Sequence, residues 1–218
     1  MPCLNEETTV GRSVDDAMKF MANNSLDGEV IVVDNGSTDS SSQIARDHGA
    51  RVISEPRHGY GRALRTGFEQ ATGNVVIMGD CDTTYDFLNL EEMYRLLVDE
   101  GFHMVIGNRY AGGIEKGAMS LSHRLGVRFL SYCGRKRFGV DIYDFHCGIR
   151  GFRKEALDKL ELKTDGMEFA TELIAEAVRK DLIIKEIPVP LRRCELKRKS
   201  KLRTIRDGWR HLKYIVSN

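Results

Sequence analysis

Residues 75–86 read VVIMGDCDTTYD, a short apolar run from Val75 that stops at two carboxylates, Asp80 and Asp82, separated by one residue. An apolar run this short, closed by glycine, has the length of a strand rather than a helix. In a parallel α/β sheet, ligands gather outside the carboxyl ends of the strands. Acid at that edge stands where a divalent cation and its phosphate ligands are held. The two side chains of an extended Asp-x-Asp point the same way, and such hard oxygen donors suit Mg²⁺ or Mn²⁺. Asp86 is near enough in sequence to join them. The same residues also fit a polar turn in which Asp80 or Asp82 caps the next helix, so the motif alone leaves both readings open.

Working outward, the unit repeats. Upstream, the apolar run 30–33 ends at Asp34, Gly36 allows a tight turn, and Ser37 or Asp39 is placed to cap a helix. A third run, 51–54, is followed by a loop holding Gly59 and Gly61 and then by helical spacing of Ala63, Leu64, Gly67, Phe68 and Ala71. Before these, Asn5 is a candidate cap for a helix carrying Val10, Val14, Ala17, Met18 and Met21. Repeated strand–helix units predict an α/β fold with a doubly wound, mostly parallel sheet. Its loops bring Asp34, the 57–61 loop, Asp80 and Asp82 to one edge, a cluster of the size of a nucleotide.

Downstream, a helix is expected over about 90–98, then a strand 104–106 that delivers Arg109 to the same edge, where a guanidinium suits phosphate. From Lys116 to Val140 there is no acid, while Arg124, Arg128, Arg135, Lys136 and Arg137 punctuate the apolar spacing of Leu121, Leu125, Phe129 and Leu130. That basic amphipathic helix fits either an ordinary surface or lipid headgroups. Glu168 and Glu172 share a helix face and are either a base in a cleft or solvated surface charges. Pro188 and Pro190 predict that the last strand lies at a sheet edge.

The 218 residues suit one large α/β domain, about 1–200, with a basic amphipathic helix over 201–218. Five scattered cysteines, none at Cys-x-x-Cys spacing, suggest neither a disulfide framework nor a zinc site, and a reducing cytosolic setting follows. The formal net charge is +1, yet residues 192–213 hold ten Lys/Arg against two acids, leaving 23 against 30 elsewhere. Such a tail meets phosphate or an anionic membrane surface, or is simply solvated. Its closing stripe, Leu202, Ile205, Trp209, Leu212 and Val216, flanked by Arg203, Arg206, Arg210 and Lys213, suggests an interface.

Taken in order, the segments 2–7 (PCLNEE), 32–39 (VVDNGSTD), 58–68 (HGYGRALRTGF), 78–87 (MGDCDTTYDF), 107–110 (GNRY), 144–152 (DFHCGIRGF), 166–172 (GMEFATE) and 199–212 (KSKLRTIRDGWRHL) span nearly the whole chain. Together they resemble the family 2 glycosyltransferases of the GT-A fold, in particular the polyprenyl-phosphate, dolichol-phosphate mannosyltransferase-like branch. The resemblance implies that Pro2, Leu4, Glu6 and Asp34 contact the donor nucleoside. It implies that Asp80 and Asp82 hold metal and diphosphate beside Cys81 and Thr84. Arg109, Arg124, Arg128, Arg193 and Lys201 are its candidates for the acceptor phosphate, with Arg109 also a catalytic candidate.

The implied reaction is metal-dependent, inverting transfer of a sugar from a nucleotide diphosphate sugar to a lipid phosphate, dolichyl or undecaprenyl, at the cytosolic face of a membrane. Expected partners are that donor, the lipid acceptor and the membrane surface, with no nucleic acid. Two departures carry expectations: Met1 falls where the family's first strand should end, so the sheet is expected to lack it, and relatives continue into membrane helices where this chain stops at Asn218. Rival readings are transfer to a saccharide hydroxyl, with Glu168 or Glu172 as base, a nucleotidyltransferase, and a non-catalytic membrane-binding scaffold.

Overall fold

The computed structural model describes residues 1–194 and 204–218, and of Thr204 and Ile205 only the backbone. Lys201, an expected acceptor residue, and Leu202 and Arg203 of the closing stripe lie outside the described residues. The first half alternates strand and helix, as the spacing predicts: β1 (Pro2–Cys3), α1 (Val10–Asn23), β2 (Ile31–Asp34), α2 (Ser41–Asp47), β3 (Arg51–Ser54), α3 (Tyr60–Gln70) and β4 (Val75–Met78). The second half holds α4 (Glu91–Val98), β5 (Met104–Asn108), α5 (Arg109–Gly112), α6 (Leu121–Phe138), β6 (Arg150–Arg153), α7 (Lys154–Leu157), α8 (Phe169–Arg179), β7 (Ile184–Pro188) and α9 (Thr204–Ser217).

The strands form two sheets. β1, β2 and β3 are parallel, and the order β4-β6-β5-β7 makes a mixed sheet in which β6 runs antiparallel to both its neighbours. The position of the first strand is filled: Pro2 and Cys3 pair with Val33 and Asp34, and the Met1 amine donates to the Ile31 carbonyl at 2.8 Å. The expected gap in the sheet is therefore corrected to a two-residue strand. β7 is an edge strand, where Pro188 leaves no ladder bond unmade on a second side.

β6 was not expected. Its sequence, RGFR, puts charge at both ends and glycine inside, a poor match to strand propensity. Tertiary context overrides this, because Arg150, fully buried, donates to the carbonyls of Cys147 (2.9 Å), Ala170 (2.7 Å) and Phe145 (2.7 Å). Those bonds satisfy a guanidinium that would otherwise be very costly to bury. The neighbouring Phe152 fills the core instead, edge-on to Phe68 with 5.7 Å between ring centroids, and Phe68 in turn meets Phe169 of α8.

Local signals failed where a tertiary partner took the residue. Asn5, at φ +50°, caps no helix; its Oδ1 accepts from Thr38 N at 2.7 Å, and α1 begins later, after Thr9. In the 57–61 loop, Gly59 N donates to Asn35 Oδ1 at 2.7 Å, and the backbone lies so close to the Asp165 carbonyl that a Cβ would collide with it. This glycine serves close packing of two loops, and its N–H is not free to cradle phosphate.

Candidate active site

The acid turn follows β4 directly. Asp82, only 6% exposed, accepts from Thr84 N at 3.0 Å and Thr84 Oγ1 at 2.5 Å through the same oxygen, Oδ1. Thr83 between them adopts φ +63°, a left-handed conformation that β-branched residues rarely take. Asp80 stands against the loop before β6: a Cβ on Gly148 would lie 2.6 Å from Asp80 Oδ2, so a side chain there would displace the carboxylate. The Gly148 N–H itself donates to Tyr85 Oη at 2.8 Å. The Tyr60 phenol, at the start of α3, is buried near Asp80, and burial together with the Asp80 charge raises its pKa well above the ordinary phenol value.

The turn also joins the two sheets. Cys81 Sγ donates to the Pro2 carbonyl at 3.2 Å, and both cysteines of this contact region, Cys3 and Cys81, are buried. Register places Cys3 opposite Asp34, whose Oδ1 accepts from Ser37 N at 3.0 Å. Glu6 is buried behind them, its N–H donating to Ser41 Oγ at 2.7 Å and its carboxylate accepting from Thr9 Oγ1 at 3.2 Å. The residues expected around a nucleoside, Pro2, Leu4, Glu6 and Asp34, thus lie on or just after the adjoining strands β1 and β2, and Cys81 of the acid turn contacts Pro2. Their convergence is the product of parallel β1–β2 pairing and the Cys81 contact.

The expected cationic residues fare differently. Arg109 is buried and doubly bonded to Asp144, Nε to Oδ2 at 2.7 Å and Nη2 to Oδ1 at 2.8 Å, with its own N–H donating to Oδ2 at 3.1 Å. This stands against the reading of Arg109 as a phosphate or catalytic group: its Nε and Nη2 are turned to a carboxylate, and although burial lowers its pKa, neighbouring Tyr85 and Asp144 outweigh that and hold it well above the ordinary value. Arg124 and Arg128 flank Tyr110, which donates to the Arg124 carbonyl at 3.0 Å and carries the Arg128 guanidinium 4.7 Å above its ring. Arg193 lines a cavity of about 470 Å³ with Arg12, Asp16, Thr83, Tyr85, Glu115 and Arg192. Arg12 and Arg192 were not singled out from sequence.

Glu172 lies in the first turn of α8 and Glu168 at its N-cap. Glu172, 3% exposed, accepts from Lys163 N, Thr164 N and Thr164 Oγ1 at 2.9, 2.9 and 2.6 Å, and so fastens the preceding loop. Glu168 faces Arg210 of α9 at 3.9 Å. Glu172 is thus taken up by the backbone of 163 and 164, and neither residue is a freely solvated charge.

Above α8, α9 buries Asp207, His211 and Ile215, while Trp209 and Val216 of the expected stripe are 67% and 72% exposed. His211 Nδ1 is 2.8 Å from Thr171 Oγ1, and its ring meets His146 edge-on at 4.3 Å. Burial lowers the pKa of His211 to about 3, and burial with neighbouring His211 and arginine charges lowers that of His146 well below the ordinary value. Both are neutral in the fold, whereas in the unfolded chain each takes up a proton near about pH 6.5. The unfolded state thus binds more protons as pH falls, so this stability is complete above that pH and is lost progressively toward about pH 3 for His211. Each histidine is expected to remove up to about 1.4 kcal/mol per pH unit in that window. Urea midpoints at pH 7.5, 6 and 5 measure it, and His211→Gln should flatten the profile by about one proton's slope; a midpoint constant over that range contradicts the neutral pair.

Comparison with known proteins places these features. The description "Glycosyl transferase family 2" matches residues 1–161. The low-salt glycan biosynthesis hexosyltransferase Agl6 of Haloferax volcanii is 35% identical over 219 residues, covering 100% of this chain and 52% of Agl6. The chain therefore spans about half the length of that relative. The dolichyl-phosphate hexose transferase of the same organism is 31% identical over 194 residues, covering 88% of this chain and 81% of its own. Among solved structures, glucosyl-3-phosphoglycerate synthase from Mycobacterium tuberculosis, in complex with Mn²⁺, UDP-glucose and phosphoglyceric acid, superposes with a TM-score of 0.77 at 26% identity, over 99% of this chain and 77% of that one. The fold is the expected GT-A α/β architecture, and the chain belongs to glycosyl transferase family 2.

Proposed function

We propose that the protein is an inverting hexosyltransferase that moves a sugar from a nucleotide diphosphate sugar to the phosphate of a polyprenyl lipid, dolichyl or undecaprenyl, at a cytosolic membrane face. The observation that carries the lipid acceptor is the outer face of α6. Leu121, Leu125, Phe129 and Tyr132 are 72%, 60%, 58% and 51% exposed there, on a helix with no acid and with Arg124, Arg128, Lys136 and Arg137 alongside. Exposed apolar rows rimmed by basic groups suit an anionic lipid surface. α9, which packs on α6, carries a further exposed aromatic residue, Trp209. Among the described residues no helix is long and apolar enough to cross a membrane, so contact of this kind would be superficial. The relative named as a dolichyl-phosphate hexose transferase supports the same acceptor.

The donor set fits a divalent metal. Two carboxylates, Asp80 and Asp82, stand on one turn, where Thr84 holds Asp82, and among the described residues no cluster of three His, Cys, Asp or Glu suited to a metal is formed. Mg²⁺ is commonly bound by one or two carboxylates with substrate phosphates and water completing the shell, and the Mn²⁺ and UDP-glucose of the mycobacterial neighbour are consistent with it. When bound, the metal would neutralise charge on the departing diphosphate. The protein's own task is positioning. A phosphate acceptor is already ionised near neutrality and needs no strong base, only cations such as Arg193, Arg124 and Arg128 to place its oxygen opposite the leaving group. That agrees with Glu172 being engaged by the backbone of 163 and 164.

A small phosphorylated acceptor is the second reading, favoured by the phosphoglyceric acid in the neighbouring structure. Transfer from labelled UDP- and GDP-hexoses to dolichyl phosphate, undecaprenyl phosphate, 3-phosphoglycerate or a free saccharide separates them. Label in the organic phase, at a rate raised by anionic vesicles and lowered by Leu125→Glu/Phe129→Glu, is expected. Product confined to phosphoglycerate or saccharide would reject the lipid acceptor, and no turnover with any pair would favour a scaffold.

A further inference from the structure

Asp86, which sequence places beside the acidic pair, is held by a residue far along the chain. Its carboxylate pairs with the Arg192 guanidinium, and it also accepts from Leu88 N at 3.1 Å and Asn89 Nδ2 at 2.7 Å. The Arg192 N–H donates to the Thr84 carbonyl at 3.0 Å. Thr84 is the residue that fixes Asp82, through two bonds to one carboxylate oxygen. A continuous path therefore runs from the segment after β7, through Arg192, to Thr84 and Asp86 on the C-terminal side of a turn in which Thr83 sits at φ +63°. Backbone of that kind persists only when its surroundings over-determine it. Asp86 is 9% exposed at its side chain while Arg192 is 40% exposed at the rim of the 470 Å³ cavity, so the pair ties a surface group to a nearly buried one.

We propose that Arg192 is a positioning residue, which through Asp86 and Thr84 holds the turn carrying Asp80 and Asp82 in the geometry that binds metal. The inference rests on the reading of Asp80 and Asp82 as the metal carboxylates. It assigns Asp86 to the support of that turn rather than to the metal. It also makes the segment following β7 part of the donor site's construction, in addition to any contact Arg193 makes with an acceptor. Outer contacts that orient metal ligands commonly change metal affinity by about 10–100-fold. Because an Arg192→Ala side-chain deletion leaves the Arg192 N–H bond to Thr84 in place, about tenfold is expected.

The test is a Mn²⁺ titration followed by electron paramagnetic resonance, in the presence of UDP or GDP, whichever protects the wild-type chain against thermal unfolding. Arg192→Ala and Asp86→Asn should each weaken Mn²⁺ binding about tenfold, the double variant should lose no more than either, and Arg192→Lys should recover part of the loss. Unfolding without ligand should stay near wild type for Arg192→Lys and Asp86→Asn, since the amide still accepts from Leu88. A guanidinium that instead touches the diphosphate gives a different pattern: Arg192→Ala loses affinity, Asp86→Asn keeps or gains it, and the losses fail to merge. That result overturns the inference, as does unchanged Mn²⁺ affinity in both single variants. Asp82→Asn is the companion measurement. If it too binds Mn²⁺ like wild type, the metal reading itself has failed and the inference falls with it; if it loses Mn²⁺ while the Arg192 and Asp86 variants do not, only the positioning role is rejected.

Discussion

Asp82→Asn is expected to weaken Mn²⁺ binding in the presence of UDP or GDP by more than the about 10–100-fold that outer contacts cost, and to abolish measurable transfer, while shifting unliganded unfolding by less than about 2 °C. The separation between function and fold follows from which oxygen does what. Asp82 Oδ1 accepts from Thr84 N and Thr84 Oγ1, and the carbonyl oxygen of asparagine can accept both bonds, so the turn keeps its shape. The second oxygen becomes an NH₂ group, a donor with no lone pair for a cation, and the charge that holds a hard ion is gone. Asp80→Asn should behave alike in metal binding, because it too replaces a charged hard oxygen donor by a neutral amide. Metal-dependent nucleotide affinity at the wild-type level in both variants would remove the metal assignment.

How much of this was legible depended on whether a residue's partner is near it in sequence. β2 and β4 are apolar runs closed by Asp34 and by Gly79-Asp80, and both strand ends are readable as such, although they lie in different sheets that the Cys81 contact with Pro2 brings together. The acid turn was readable for the same reason, since Asp82 and Thr84 are neighbours. Arg109 was misread because its partner, Asp144, arrives from a loop that only the antiparallel strand β6 brings back, and β6 hides its burial behind two arginines. Glu172 carries a helical signature that cannot reveal that its acceptors' partners are backbone N–H groups of 163 and 164. The edge-on contact of His146 and His211 joins a loop to the closing helix, and nothing in either segment announces it. In α9 the apolar stripe was legible and its direction was not: packing on α6 and α8 uses Asp207, His211 and Ile215 and leaves Trp209 outside.

The largest stability effect is expected at the Arg109–Asp144 pair. Asp144 is fully buried and Arg109 6% exposed, and the carboxylate accepts three bonds from Arg109 and a longer one, 3.3 Å, from His146 N. Asp144→Ala leaves a guanidinium that keeps its charge at any ordinary pH in a low-dielectric site with no carboxylate, and such a break costs about 3–5 kcal/mol. Against a total stability of about 5–15 kcal/mol for a domain, that brings the protein close to unfolding at ambient temperature. Replacing both partners by apolar groups of similar volume, Arg109→Met with Asp144→Leu, removes the desolvation cost along with the attraction, and should recover much of the loss. Arg109→Lys separates the structural role from a catalytic one. A lysine keeps the charge but offers a point donor in place of a planar fork, so it should lower the urea midpoint even without substrate. If instead Arg109→Lys unfolds like wild type and loses only turnover, or Asp144→Ala costs less than about 1 kcal/mol, the guanidinium works on a ligand and not, as its two short bonds to Asp144 indicate, on the architecture that stands behind the acid turn.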